Sequence, residues 1–145
     1  MRFRFQAILN LRKHHEDLCR TRLYKEETKL MKIEEELTAW EEAKEEQKKT
    51  VATLSVGKIQ PQLLAMGSEN IAYLRRKKEE TEIRRAVQKE QVALARADVI
   101  EARKGRKTLE KLKERFIANE KQKMMSAEQK RIDEVAVNLF SRDER

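Results

Sequence analysis

Apolar residues recur along this chain at alternating steps of three and four. From Leu30 the run continues through Ile33, Leu37 and Trp40, passes Lys44 and Gln47, and resumes at Val51 and Leu54. That alternation predicts a coiled-coil seam in which Lys44 and Gln47 are polar members. Upstream, Ile8, Leu11, His15 and Leu18 form a run in a shifted phase. The change near Leu18–Leu23 predicts a stutter, a local unwinding of the supercoil. The first helix is expected over about 3–54. A second, expected over about 69–140, carries Ile71, Leu74, Ile83, Val87, Leu94, Leu109, Leu112 and Phe116 as its stripe. Small residues lie between them, Ala93, Ala95, Ala97, Ala102 and Gly105. They let two helices approach closely, and a mid-helix glycine invites a bend.

The break between the helices is Ser55–Ser68, which holds Pro61, the one proline, and two of the three glycines, Gly57 and Gly67. Proline removes a backbone donor and glycine costs a helix about 1 kcal/mol relative to alanine. Clustered here, they predict a turn over 55–68, with Ser68 as N-cap of the second helix. Folding the chain back at this turn sets Val51 against Tyr73–Leu74, Leu37 against Val87 and Leu30 against Leu94. Further along, Cys19 meets Gly105, Arg12 meets Leu112 and Ile8 meets Phe116. Charge agrees with an antiparallel pairing. Residues 26–47 carry nine acids and three bases, whereas 75–98 carry eight bases and five acids. Opposite charges beside a seam specify orientation more than they add stability.

The arms are unequal. At about 1.5 Å per residue the second helix outruns the first, so residues beyond about Asn119 are expected to overhang. They keep a stripe of their own, Met125, Ile132 and Leu139, flanked by Val135, Ala136 and Phe140. A lone helix gains little from such a stripe unless something covers it. The expected fold is therefore all-α: a long two-helix antiparallel coiled-coil hairpin with a C-terminal helical overhang, forming one coiled-coil domain over 1–145.

Composition supports this. Of 145 residues 41% are charged and 5% aromatic, and Gly and Pro are rare. Such a chain cannot fill a thick core, but it can bury narrow seams between helices. No apolar run is long enough for a membrane span, and the charged N-terminus does not read as a signal peptide. Cys19 is the single cysteine, which excludes an intrachain disulfide and suits a reducing compartment. The net charge of +8 is concentrated where the helix ends would meet. Residues 1–25 carry seven bases and two acids, and 101–123 carry nine bases and four acids.

Reactive chemistry is not apparent. Gly57-Lys58 lacks the spacing of a phosphate-binding loop. His14 and His15 point to different faces and have no cluster to complete a metal site. No nucleophile, histidine and orienting acid can be matched, and two paired helices offer no concave pocket for a small-molecule substrate. No cofactor and no enzymatic activity are expected. Nucleic acid is disfavoured, because the few aromatics are not interleaved within a basic patch except at the N-terminus.

Both ends carry a resemblance. Phe3-Arg-Phe-Gln-Ala-Ile-Leu-Asn-Leu-Arg12 resembles the opening of the flagellar FliJ family. Leu109-Glu-Lys-Leu-Lys-Glu-Arg115 and Glu128-Gln-Lys-Arg-Ile-Asp-Glu-Val-Ala136 are similar to its C-terminal pattern, and the likeness spans the chain. The resemblance implies a non-enzymatic cytoplasmic component of the flagellar type III protein export apparatus, peripheral at its membrane-associated parts. It implies a stalk resembling the rotary-ATPase gamma subunit, which binds the hexameric export ATPase ring and promotes its assembly. It further implies contacts with the export-gate membrane protein and with export chaperones. On this reading the ATPase surface comprises Phe3, Phe5, Ile8, Arg12, Phe116, Met125, Ile132, Val135 and Leu139. A gate or chaperone contact is expected at Tyr73, Leu74, Arg76 and Lys77. The alternatives are a stalk of a virulence-associated type III secretion system, and a basic coiled-coil scaffold or nucleic-acid-binding rod.

Overall fold

A computed structural model describes residues 2–144. Helix α1 runs Gln6–Leu54 and α2 runs Pro61–Asp143, and among the described residues there is no strand. The fold is an all-α helical hairpin. Its contacts group into two compact units. A central unit spans Asp17–Ile100, and a terminal unit joins the residues up to Glu16 with those from Glu101 onward.

The turn is less than half the expected length, because Pro61 opens α2 instead of sitting in the loop. Proline is suited to the first helical position, where its missing N–H has no intrahelical partner to lose. The Leu64 amide then closes the first turn onto the Gln60 carbonyl at 3.2 Å. Ser55 ends α1, its hydroxyl donating to the Val51 carbonyl at 2.8 Å. Gly57 supplies the reversal with φ of +81°. Gly67 and the expected cap Ser68 lie inside α2. Gly67 is buried, and a Cβ there would come within 2.6 Å of Val51 Cγ2. Its role is close helix approach, not chain reversal.

Starting α2 early displaces the pairing. In the central unit Val51 faces Gly67, not Tyr73–Leu74. In the terminal unit Gly105 lies under Arg12, not Cys19, and Phe3, not Ile8, packs on Phe116. The α1 partners thus sit more than one helical turn nearer the start of α2 than expected.

The seam of α1 in the central unit is Cys19, Leu23, Glu26, Leu30, Ile33, Leu37, Trp40, Lys44, Gln47, Val51 and Leu54, all half-buried. The stretch from Leu30 is the expected register. Upstream there is no phase change. The same three-four alternation reaches back through Glu26, Leu23 and Cys19, and the terminal unit's Glu16 and Leu9 keep the phase. The expected seam residues Ile8, Leu11 and Leu18 are instead 44%, 65% and 55% exposed. Two glutamates occupy inward positions, which a search for apolar residues passes over.

The same correction applies to α2. Ile71 and Leu74 are half-buried as expected, and the central-unit seam then continues through Lys78, Thr81, Arg85, Gln88, Val92, Ala95 and Val99. Ala102, Arg106, Leu109, Lys113, Phe116 and Glu120 follow in the terminal unit. Ile83, Val87, Leu94 and Leu112 are exposed. Two polar seam members find hydrogen-bond partners where they sit. Buried Thr81 donates to its own Lys77 carbonyl at 2.8 Å, and Gln88 Nε2 donates to the Glu26 carboxylate at 2.6 Å. That bond, more than nearby Lys29, holds the Glu26 carboxyl below its usual range.

Charge pairing in the central unit mostly follows the expected sense, with Arg22–Asp98 at 3.3 Å the reverse case. Arg96 meets Glu27 at 3.2 Å, Arg85 meets Glu34 at 3.6 Å, Arg84 meets Glu36 at 3.2 Å, and Lys78 pairs with Glu41. Each joins an acid of α1 to a base of α2.

Candidate functional site

The expected ATPase surface falls within the terminal unit, which is built around two devices. The first is aromatic. The chain before α1 turns so that the Gln6 amide bonds the Phe3 carbonyl at 3.2 Å, and this seats Phe3 inward. Its ring lies 5.6 Å from Phe116 at 52° and 5.8 Å from Phe5 at 72°. Edge-on and tilted pairs at this spacing each add about 0.5–1.5 kcal/mol beyond their burial. Phe3 is 9% exposed, Phe116 half-buried, and Phe5 open to solvent. Phe3, Phe5 and Phe116 are therefore one cluster, of which Phe5 presents the accessible face.

The second device is ionic. Glu16, 2% exposed, takes Arg106 through its guanidinium and Arg103 at 3.6 Å. Arg106 Nη1 also donates to both carboxylate oxygens of Glu110, each at 2.8 Å. Glu16 and then Glu110 stabilise its charged form and hold its pKa above the ordinary value. A buried carboxylate without partners would be strongly destabilising, so this layer ties α1 and α2 to one register. Arg12 lies over Gly105, with its Cδ 3.7 Å from where a Cβ would stand. Its role within the unit is to cover that gap.

Beyond Glu120 every residue to 144 is exposed. Met125, Ile132, Val135 and Leu139 are 62%, 57%, 57% and 60% exposed, and Phe140 is 71% exposed. Their stripe does not extend the seam. Counted around the helix from Phe116 and Glu120, it is rotated by roughly 120–150°. Continuing the seam itself would bring up Lys123, Ala127, Lys130 and Glu134, which are mostly charged. The terminal unit therefore gathers Phe3 and Phe116 inside, leaves Phe5 and Ile8 at the surface, and carries Met125–Leu139 as a separate uncovered stripe.

The expected gate contact lies in the central unit. Tyr73 is 48% exposed, and the Lys77 ammonium stands 5.7 Å from its ring centre while also pairing with Glu80 at 3.3 Å. Arg76 is exposed. Leu74 is half-buried at a seam position, so its side chain contributes to packing. The accessible part of this patch is Tyr73, Arg76 and Lys77.

Among the described residues no group of three or more His, Cys, Asp or Glu could hold a metal ion, and no helix is long and apolar enough to cross a membrane. The polar seam positions escaped the reading of apolar residues. The signal that would have located Glu16, Glu26, Thr81 and Gln88 was the unbroken three-four spacing running through them.

Comparison with known proteins gives one finding. A family model described as Flagellar FliJ protein matches residues 1–145. No curated protein and no solved structure matches the chain.

Proposed function

Since the chain belongs to the flagellar FliJ family, we propose that it is the non-enzymatic stalk of a flagellar type III export ATPase. In this reading it binds the hexameric ring, promotes its assembly and activity, and links it to the export gate and export chaperones. It works in the cytoplasm, at the membrane-associated export apparatus. The carrying observation is the uncovered stripe Met125, Ile132, Val135 and Leu139, which follows the basic stretch 101–123 of the same helix. A helix presents such a stripe at little benefit to itself, and a ring's central opening supplies the missing cover. Phe5 and Ile8, at the surface beside the Phe3–Phe116 cluster, extend the same contact.

A second contact is supported by the half-exposed Tyr73 ring with Lys77 over it and Arg76 alongside. We assign it to the export-gate protein or to chaperones. One experiment separates the two. Full-length chain carrying Ile132→Glu and Leu139→Glu should lose export-ATPase binding at least tenfold while keeping its helicity by circular dichroism. Tyr73→Ala should spare ATPase binding and weaken gate binding. Wild-type ATPase affinity in the double variant would refute the stalk reading.

A further inference from the structure

Near the turn the seam is poorly matched. Val51 faces Gly67, and stepping along both helices from that contact sets Gln47 against Ile71 and Lys44 against Leu74. Polar residues of α1 thus meet the apolar start of the α2 seam, while Val51 meets a glycine. Sliding α2 by one heptad toward the turn keeps every seam position in the seam. It would set Val51 against Leu74 and Leu54 against Ile71, apolar against apolar.

The residues that such a slide releases into the turn are weakly held. They are Pro61–Gly67, of which only Leu64 and Gly67 turn inward, and the other five are exposed. The first turn of α2 has no acidic residue to complement its amide end, and Gly67 costs the helix further. Ser68 followed by Glu69 would cap the shortened helix.

Pairing further along opposes the slide. In the terminal unit the Glu16 carboxylate, 2% exposed, holds Arg103 and Arg106. One heptad on, the same positions of α2 are Glu110 and Lys113. A slide would exchange two guanidiniums around a buried carboxylate for one carboxylate and one ammonium, and a buried charge that loses its partners is strongly destabilising. In the central unit Gln88, which donates to Glu26, would give way to Ala95. Local fit at the turn and pairing further along therefore favour different registers.

We infer that the hairpin has a second register, one heptad from the first, and that the Glu16 layer is the lock that selects between them. The slid state moves α2 about 10.5 Å along α1, lengthens the turn by Pro61–Gly67 and takes Arg103 and Arg106 off Glu16. Packed helices hold discrete alternatives of this kind, since a seam fits at whole heptads and not between them. Because α1 is one continuous helix, a partner carboxylate that draws Arg106 off Glu16 would release the turn. The inference is independent of the stalk reading, which rests on residues 125–139.

Cysteine pairs in the full-length chain, in a Cys19→Ser background, test it. A Cβ at position 67 stands 3.9 Å from Val51 Cβ, within the span of a disulfide. Val51→Cys with Gly67→Cys should therefore cross-link rapidly in dilute protein under mild oxidation. Val51→Cys with Leu74→Cys reads the slid register. It should close more slowly than the first pair, yet at least tenfold faster than Val51→Cys with Thr81→Cys, which matches neither register and measures general opening. Glu16→Leu should raise the ratio of slid to unslid cross-linking at least tenfold while helicity by circular dichroism is kept, and Glu16→Gln should raise it by less. A Leu74 pair no faster than the Thr81 pair, or a ratio that neither Glu16 variant moves, would overturn the inference. Equal acceleration of the Leu74 and Thr81 pairs would overturn it too, since that is general loosening.

Discussion

Two stretches of α2 carry heptad stripes and behave in opposite ways. From Leu64 to Glu120 the inward positions are buried or half-buried although many are polar: Lys78, Arg85, Gln88, Arg106, Lys113. From Met125 to Leu139 the stripe is apolar and wholly exposed. Hydrophobicity therefore does not decide which positions are covered. Cover comes from having a helix opposite, and a polar residue is tolerated there when its partner is opposite too. Glu16 with Arg103 and Arg106, and Glu26 with Gln88, are the examples. The exposed stripe has apolar residues with nothing to hold, which is why it is the better candidate for a partner.

The largest test of that contrast uses single truncations. Leu9 is 1% exposed in the seam, whereas its neighbour Ile8 is 44% exposed. Leu9→Ala should lower unfolding free energy by about 2–4 kcal/mol, the cost of an unfilled cavity. Ile8→Ala and Leu139→Ala should each stay within about 0.5 kcal/mol. Chemical denaturation measures all three, and equal losses at Leu9 and Leu139 would erase the distinction drawn between covered and uncovered stripes.

The glycines sharpen it next, because they should respond with opposite sign. At Gly67 an added methyl collides with Val51 Cγ2. The overpacking cost of about 1–3 kcal/mol outweighs the roughly 1 kcal/mol of helix propensity that alanine restores. Gly67→Ala is expected to destabilise. At Gly105 the nearest atom is Arg12 Nη1 at 3.6 Å, an ordinary contact. Gly105→Ala should therefore stabilise by about 0.5–1 kcal/mol. Thermal melts of the two variants would show midpoints moving apart.

The smallest effect is electrostatic. Hydrogen bonds from Gln88, Arg84 and Lys78 respectively hold Glu26, Glu36 and Glu41 below their usual value of 4.5. A carboxyl whose pKa is depressed on folding contributes stability above its unfolded value and loses it as pH falls through the folded one. The melting midpoint should hold down to about pH 5 and then fall below pH 4.5 by a few degrees, since such solvent-screened pairs are weak. A midpoint that rises on acidification would contradict the pairing of acidic α1 with basic α2.

Much of this was legible in the chain. The helices, the antiparallel sense, the Leu30–Leu54 register and the uncovered C-terminal stripe followed from spacing, charge and the unequal arms. Three features did not. Pro61 reads equally as a loop residue or a first helical residue, and only the closed turn at Leu64 decides between them. That choice moved every partner by more than a turn. The stutter near Leu18 followed from preferring leucine to glutamate at inward positions, which local hydrophobicity favours and cross-helix partners reverse. Leu94 and Ala95 are adjacent and both helix-forming, yet Leu94 is 59% exposed and Ala95 1%. Sequence by itself determined that two long helices form and pair with opposite charges together, because helix propensity, period and charge are local or summed properties. Tertiary structure alone decided which face turns inward before Leu30 in α1 and from Lys78 to Val99 in α2. Burial depends on what stands across the seam, and that is set by a partner tens of residues away.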